Sequence, residues 1–427
     1  MPADRNADWL SASVALETVM AGVDRLDSER RALRQARGCV LAGDIVSEVD
    51  LPPWDNSAMD GFAVRSADVA GAVPVTLRVV DDIPAGGRPS RRLEPGEAAR
   101  IMTGAPVPDG CDGVIRVEHT DGGARIGTPY ASVAVLGNGD SGRNIRPAGQ
   151  DVRRGSIALS AGDEMTPGRI ALAAALGQAA LPVIRRPVVA VLASGDELVP
   201  VECFEEVKAG LRIVSSNSYG LAAQLAEIGC EVRMLGIAAD APESLRSHLE
   251  AAAGCDALIT TAGISVGEHD HVRGVLQGMG TEIAFWRVRA RPGSALAFGH
   301  VGALGGIPWF GLPGNPVSTM TCFELFARPA LLLMAGHRRV HLPTMQARLS
   351  DVYPGTGELT HFARARLTSD SAGVTADLTR SQSSAMLSAM AEAEALVIIP
   401  PGPDLRAGAP VRVVTLGGAP LSGNQPF

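Results

Sequence analysis

The feature that most constrains this chain is a rhythm between residues 184 and 335, where short apolar runs alternate with longer amphipathic stretches. "RPVVAVLASGDEL" reads as a buried strand ending in a loop, and "SSNSYGLAAQLAEIGC" as a capped helix. "EVRMLGIAAD" is a strand, "APESLRSHLEAAAGC" a helix, and "DALITTAG" a strand running into "ISVGEHDHV". "IAFWRVRA", "ALAFGH" and "IPWFGLPGNP" follow, then a helix to about 335. Strands and helices alternating at these lengths predict a mostly parallel sheet covered on both faces.

The flanks have another texture. "SVALETVMAGV" and "ERRALRQARGCVLAG" place apolar residues at three and four spacing, so 13 to 43 reads as helical. From 49 to about 144 short apolar runs are broken by Gly and Pro, as in "PVTLRVVDDIPAG", which predicts strands and tight turns. "TPGRIALAAALGQ" returns to helix, with Thr166 at the N-cap and Pro167 in the first helical position. The β-rich block is therefore expected as an insertion. We expect a discontinuous N-terminal linker domain over 1–48 and 145–183, and an inserted β-rich domain over 49–144. An α/β domain over 184–338 and a small, barrel-like C-terminal β domain over 339–427 complete the multidomain α/β plus β architecture.

Composition narrows the function classes. A net charge of −8 argues against a nucleic-acid partner, which usually needs a basic face. The six cysteines are scattered without a C-x-x-C pair, which suggests neither a disulfide framework nor a structural zinc. The opening "MPADRNADWLSAS" lacks the apolar core of a secretory leader, and runs such as "ALLLMAG" are too short to cross a bilayer. A cytoplasmic protein with no membrane partner is expected.

In an open parallel sheet, ligands bind outside the carboxyl ends of the strands. Three loops there carry unusual chemistry. "LPGNP" places Asn315 at an N-cap, Pro316 in the first helical turn and Gly314 where a backbone can approach a ligand. A helix start of this kind presents free N–H groups and partial positive charge to the crevice, although a plain cap is the commoner use. "TTAGISVGEHDH" offers hydroxyls, Ser265 among them, around Gly263 and Gly267, as an anion-binding nest would. Its Glu268 and Asp270 suit a divalent metal beside a phosphate, or a ring donor such as a pterin amine. His269 and His271 form an H-x-H pair with no third ligand nearby in sequence, a pattern commoner on surfaces. "SGDEL" brings Ser194, Gly195, Asp196 and Glu197 to the end of the first buried strand, where the acids complement a helix dipole or join a metal–phosphate site. Three such loops on one crevice are harder to explain by local structure than any one of them.

Eight segments in order then resemble one family. They are "PPWDNSAMDGFAV", "RIMTGAPVPDGCDGV", "GRNIRPAGQD", "SGDELV", "SSNSYGLAAQLAEIG", "TTAGISVGEHDHV", "RPGSALAFG" and "LPGNPVS". Together they resemble the molybdopterin molybdenumtransferases, the MoeA family that includes the E domain of gephyrin. The resemblance implies the last step of molybdenum cofactor synthesis. Adenylylated molybdopterin binds in the α/β domain, molybdate is inserted into the dithiolene and AMP leaves, assisted by Mg²⁺ or a similar divalent cation. It also implies a homodimer whose cleft is shared between subunits, with transient contact to the adenylyltransferase and to molybdoenzymes. By the same carry-over Asp60, Thr103, Asp151, Glu197 and Asp270 are the catalytic candidates, with Glu197 and Asp270 also holding the metal. Ser194, Gly195, Asp196, Ser265, Gly267, Pro313, Gly314, Asn315 and Pro316 fall to substrate binding. Arg291 and Ser294 join them, and Arg364 and Ser384 resemble an oxyanion pocket, in which a guanidinium and a hydroxyl suit a tetrahedral dianion. In the "DNSAMDG" loop, Asp55, Asn56 and Ser57 are expected to hold the loop or meet the pterin, with Trp54 and Phe62 anchoring it in the core.

The chain also departs from the family pattern. The family's "KPGKP" is here "RPGSA", so Ser294 replaces a lysine, and Arg289 is a cation that could stand in for it. "TGGVSVG" is "TAGISVG", which puts Ala262 where a glycine is usual, and "QGS" is "QSS". The alternative reading is a catalytically weakened paralogue that carries or scaffolds molybdopterin. A different nucleotide enzyme on the same α/β domain would not need the "DNSAMDG" and "MTGAP" blocks.

Overall fold

The structure, a computed structural model, describes residues 9–122, 132–262, 271–371, 373–379 and 381–417. The chain divides into two compact units. One comprises Gly43–Ala161 and Gly168–Ala179; the other comprises Met1–Ala42, Gly162–Pro167 and Ala180–Phe427.

The smaller unit is built on a five-stranded sheet. Its order is Gly113–Arg116, Gly61–Val64, Glu97–Ile101, Val75–Ile83, Ser132–Val135. Period-two alternation sends Phe62 and Val64 to one hydrophobic cluster and Ala63 to another. The strand Gly61–Val64 is therefore buried on both faces. Gly61 opens it for a steric reason, since a Cβ there would lie 2.0 Å from the Ile115 carbonyl oxygen across the ladder. A short ribbon, Asn56–Ser57 against Ile145–Arg146, holds the loop that precedes this strand.

The larger unit carries the predicted α/β sheet. Its order is Glu231–Ala238, Val188–Ser194, Ala257–Thr261, Ile307–Leu312, Ala297–Val301, Thr281–Phe285. The first four strands are parallel; Ala297–Val301 runs antiparallel to Ile307–Leu312, and Thr281–Phe285 antiparallel to Ala297–Val301. Both faces are covered. Val191 and Ile259 face one core, while Ala190, Leu192 and Leu258 face the other. The strand Ile307–Leu312 ends in Pro313-Gly314-Asn315, and a helix starts at Pro316. That helix runs to Met334 through a π-helical turn at Phe323–Ala327. Among the described residues it is the one helix long and apolar enough to cross a membrane, and most of it is buried in the fold.

Beyond it, five strands close into a barrel: Thr360–Asp370, Gly373–Leu378, Thr344–Leu349, Pro410–Thr415 and Ala395–Ile399, which pairs back to the first. Closure removes the free sheet edges. The short strand Ala290–Arg291 adds to this barrel in parallel, with Arg291 opposite His361.

The helical reading of 13 to 43 holds only at its start. Ala12–Ala21 is a helix capped by the Ser11 hydroxyl, which accepts from the Val14 N–H at 3.2 Å. Ser28–Ala32 is instead a strand paired antiparallel with Ala180–Ile184, followed by a single 3₁₀ turn at Leu33–Gln35. "SERRA" has little apolar surface with which to hold a helix face, so the ladder to a distant strand wins over local propensity.

Candidate active site

Two clefts adjoin at the carboxyl ends of the parallel strands. The first, about 610 Å³, is lined by Glu197, Asn217, Thr261, Ala262, Gly314 and Pro316, among others. The second, about 700 Å³, is lined by Arg291, Ser294, Ser318, Gln382, Ser383 and Ser384, among others. Ala295, Pro313 and Asn315 belong to both walls. The strand-end position predicted for the site is where these clefts lie.

In the first cleft the side chains differ in what they offer. Glu197 is exposed at the end of the Val188–Ser194 strand. Its carboxylate lies over Gly195, where a Cβ would sit 2.6 Å from Glu197 Oε2. Gly195 also has φ +147°, so it is a glycine for two reasons. Asp196 is turned to a local task, accepting from the Asp240 N–H at 3.2 Å. Ser194 is buried at the strand end. Asn217 donates to the Gly314 carbonyl at 2.7 Å, while its Oδ1 is buried with no hydrogen-bond partner among the described residues. A buried acceptor without a donor is costly unless a ligand supplies one. Ala262 has φ 69°, in the left-handed region where its Cβ is a penalty.

The second cleft is bounded by a clasp between the α/β layer and the barrel. Asn315 occupies the N-cap position, but its side chain caps nothing; Nδ2 donates to Ser384 Oγ at 3.1 Å. The Val317 N–H donates to the Ser384 carbonyl at 3.2 Å. The helix start predicted to leave its N–H groups open to the crevice is thus partly closed by Ser384. Arg364 lies behind this wall, fully buried. Its Nη2 donates to the Ser381 and Ser383 carbonyls at 2.8 and 3.1 Å, and Gln382 brackets its backbone through Oε1 and Nε2 at 2.9 Å each. Arg364 Nε and Nη1 have no hydrogen-bond partner among the described residues, and burial pulls the guanidinium pKa down. A desolvated cation with open donors favours an anion nearby. A buried pair accompanies it: Tyr353 OH lies 3.1 Å from His361 Nδ1. Burial, then the charge of Arg291, lowers the His361 pKa. Arg289, the cation that could stand in for the family's lysine, places Nε on the Trp9 carbonyl at 3.2 Å and Nη1 on Glu358 at 3.4 Å.

The smaller unit brings Asp60 and Thr103 together. The Thr103 N–H and hydroxyl both donate to Asp60 Oδ1, at 2.7 and 2.8 Å, and these bonds hold the Asp60 pKa below its ordinary value. Asp151 is exposed, and its N–H donates to the Leu51 carbonyl at the base of the same loop at 2.9 Å. The dense polar run before Asp60 is internally paired. Asp55 Oδ1 accepts from Ala148 N–H at 2.7 Å, Ser57 Oγ donates to the Met59 carbonyl at 2.5 Å, and Asn56 Nδ2 donates to the Trp54 carbonyl at 3.3 Å. Phe62 is a core anchor as expected, but Trp54 is 43% exposed and is not. Ser265, Gly267 and Asp270, with Glu268 and His269, lie outside the described residues. Asn217 and Gln382 are site residues that no motif above names as such; the polar run "SSNS" at a strand-to-helix junction is the signal in sequence for the first.

Residues 10–177 match the family model described as MoeA N-terminal region (domain I and II). Residues 190–332 match a probable molybdopterin binding domain, and 346–416 the MoeA C-terminal region (domain IV). The molybdopterin molybdenumtransferase of Synechococcus elongatus is 38% identical over 416 residues, covering 95% of this chain and 100% of that protein. The chain belongs to the MoeA family of molybdopterin molybdenumtransferases. A Bacillus subtilis member is 34% identical over 380 residues, 88% of this chain and 86% of that one. The solved molybdopterin biosynthesis MoeA protein of Pyrococcus horikoshii OT3 superposes with a TM-score of 0.79 at 28% identity, covering 96% of this chain and 100% of that chain. The fold, with its α/β core, inserted β-rich region and closed barrel, is the MoeA fold.

Proposed function

We propose that this chain is a transferase of molybdenum cofactor biosynthesis that inserts molybdate into adenylylated molybdopterin, with release of AMP. The observation that carries the reading at the site is the pair of clefts sharing Ala295, Pro313 and Asn315. The first has the size and hydrogen-bonding groups for the pterin, with the buried Asn217 Oδ1 as an acceptor for a ring N–H. The second, with Arg291 at its wall and Arg364 behind it, suits the oxyanion. Sharing a wall sets the two substrates beside each other, and proximity supplies much of the rate.

Mg²⁺ or a similar divalent cation fits this site. Among the described residues no group of three or more His, Cys, Asp or Glu could hold a metal. Magnesium, however, is usually held by one or two carboxylates together with substrate phosphates. The Glu197 carboxylate, in space that Gly195 leaves open, is such a donor, and Asp270 is the proposed second. Bound there, the ion would neutralise charge on the phosphate ester. The chain's own groups position: Glu197 orients the adenylyl end, Asn217 the ring, and Gln382 with Arg364 fixes the Ser383–Ser384 wall.

The protein is further proposed to be a cytoplasmic homodimer in which the Asp60–Thr103 loop of one subunit, with Asp151, completes the cleft of its partner. Division into four parts at the boundaries expected from the sequence, and transient contacts with the adenylyltransferase and with molybdoenzymes, belong to the same proposal.

One observation favours the second reading, a molybdopterin carrier or scaffold. Ser294 lines the oxyanion cleft where the family has a lysine, and Arg289 is tied to Glu358 and the Trp9 carbonyl. AMP release from adenylylated molybdopterin, measured with Mg²⁺ with and without molybdate, separates the two. Molybdate-stimulated release that Asp270→Ala abolishes supports the transferase. Tight binding without release establishes the carrier instead.

A further inference from the structure

The smaller unit contains a cleft of its own, of about 530 Å³, that none of the roles above uses. Trp54 lines it, with Arg88, Arg91, Arg92, Val107 and Asp109. The exposure of Trp54 is unusual for so large an apolar ring, and its indole Nε1 reaches only the Gly104 carbonyl, at 3.4 Å. The loop carrying the arginines is fixed from several sides. Gly87 N–H donates to the Pro84 carbonyl at 2.8 Å, Ser90 N–H to Asp81 Oδ2 at 2.8 Å, and Leu93 N–H to the Asp109 carbonyl at 2.9 Å. Val107 N–H donates to the Asp55 carbonyl at 3.0 Å, which ties the opposite wall to the Trp54 segment.

The three arginines are not equivalent. Arg91 is spent on the buried Glu97, with Nη2 at 3.0 Å from Oε2. Arg88 and Arg92 are exposed and make no side-chain hydrogen bond or ion pair with the described residues. The Arg92 side chain lies along Gly110, where a Cβ would sit 3.4 Å from its Cγ. An open indole face beside two uncommitted guanidinium groups, in a cleft of small-molecule size, selects a flat ring that carries an anion. Asp109 on the same rim accepts from a ring amine or a sugar hydroxyl, and its charge opposes a longer phosphate chain.

We propose that this cleft binds a nucleoside monophosphate, with its base stacked on Trp54 and its phosphate held by Arg88 and Arg92. The ligand is either AMP released by this chain or a mononucleotide from the cellular pool. The proposal does not rest on the transferase reading, because binding is measured without pterin or molybdate. Isothermal titration of the full-length protein with AMP, GMP and inorganic phosphate tests it. Saturable AMP binding is expected, weakened about tenfold by Trp54→Ala and by at least as much in Arg88→Ser/Arg92→Ser. Arg88→Lys/Arg92→Lys should restore most of it, which a general loss of folding would not allow. Preference for AMP over GMP identifies the released product as the ligand, and equal binding identifies the pool. Equal binding of inorganic phosphate, or an AMP isotherm whose stoichiometry per chain and affinities are both unchanged in Trp54→Ala and in Arg88→Ser/Arg92→Ser, overturns the proposal.

Discussion

Ala262 holds φ 69° at the carboxyl end of the Ala257–Thr261 strand, beside the cleft. Left-handed backbone costs a non-glycine residue about 1–2 kcal/mol, partly offset by the larger folding entropy cost of glycine. Ala262→Gly should therefore stabilise the chain by about 0.5–1 kcal/mol, read as a higher urea midpoint; a lower midpoint would show that the methyl makes a contact worth more than the strain. Asp60 sits at the other extreme, a carboxylate poised by two donors from Thr103. Asp60→Asn should lower kcat for molybdate-dependent AMP release by on the order of 10²-fold with the melting temperature nearly unchanged. Arg364 makes the sharpest residue-scale claim. If its unmet Nε and Nη1 await an oxyanion, molybdate at a hundredfold over its Kd should stabilise the wild type by about 2.7 kcal/mol and leave Arg364→Met unaffected.

At the scale of elements, the strand Gly113–Arg116 is tied to the 138–144 turn by Asp140, which accepts from Arg116 Nε at 2.8 Å and Nη2 at 2.9 Å. Burial opposes ionisation of Asp140, but the Arg116 bonds outweigh it and lower its pKa from 3.8 to about 2. A depressed carboxylate pKa adds stability above the unfolded value and loses it as pH falls through the folded one. Asp140→Asn should thus cost about 2 kcal/mol at pH 7, and the difference should vanish between pH 4 and 2. The same scale shows what a sequence can disclose. The alternating runs of 184–335 declared the sheet because apolar period and loop chemistry agree there. "LPGNP" declared its strand-to-helix corner for the same reason. "SERRA" hid its strand, because the partner that makes it one lies about 150 residues away. Trp54 hid its exposure, since an aromatic beside prolines resembles a core anchor until the arginine loop is seen opposite it. Asn315 reads as an N-cap from its neighbours alone, and nothing near it in sequence signals Ser384, the residue its side chain bonds.

For the whole molecule, two units with separate hydrophobic clusters predict unfolding that is not one cooperative event. Calorimetry should give a van't Hoff enthalpy below the calorimetric one, and Asp140→Asn should shift only one component. A single transition with equal enthalpies would mean that the four chain crossings between the units couple them fully. The net charge of −8 sets a second condition at this scale. A molybdate dianion meets an unfavourable mean potential, and it is the local cations that must draw it in.

The wall of Ala295, Pro313 and Asn315 has a consequence for inhibitor chemistry. Two neighbouring chambers divided by three small side chains can be spanned by one molecule. A planar bicycle joined through a short tether to a tetrahedral anion would displace both substrates at once, and its optimum tether length would gauge the thickness of that partition.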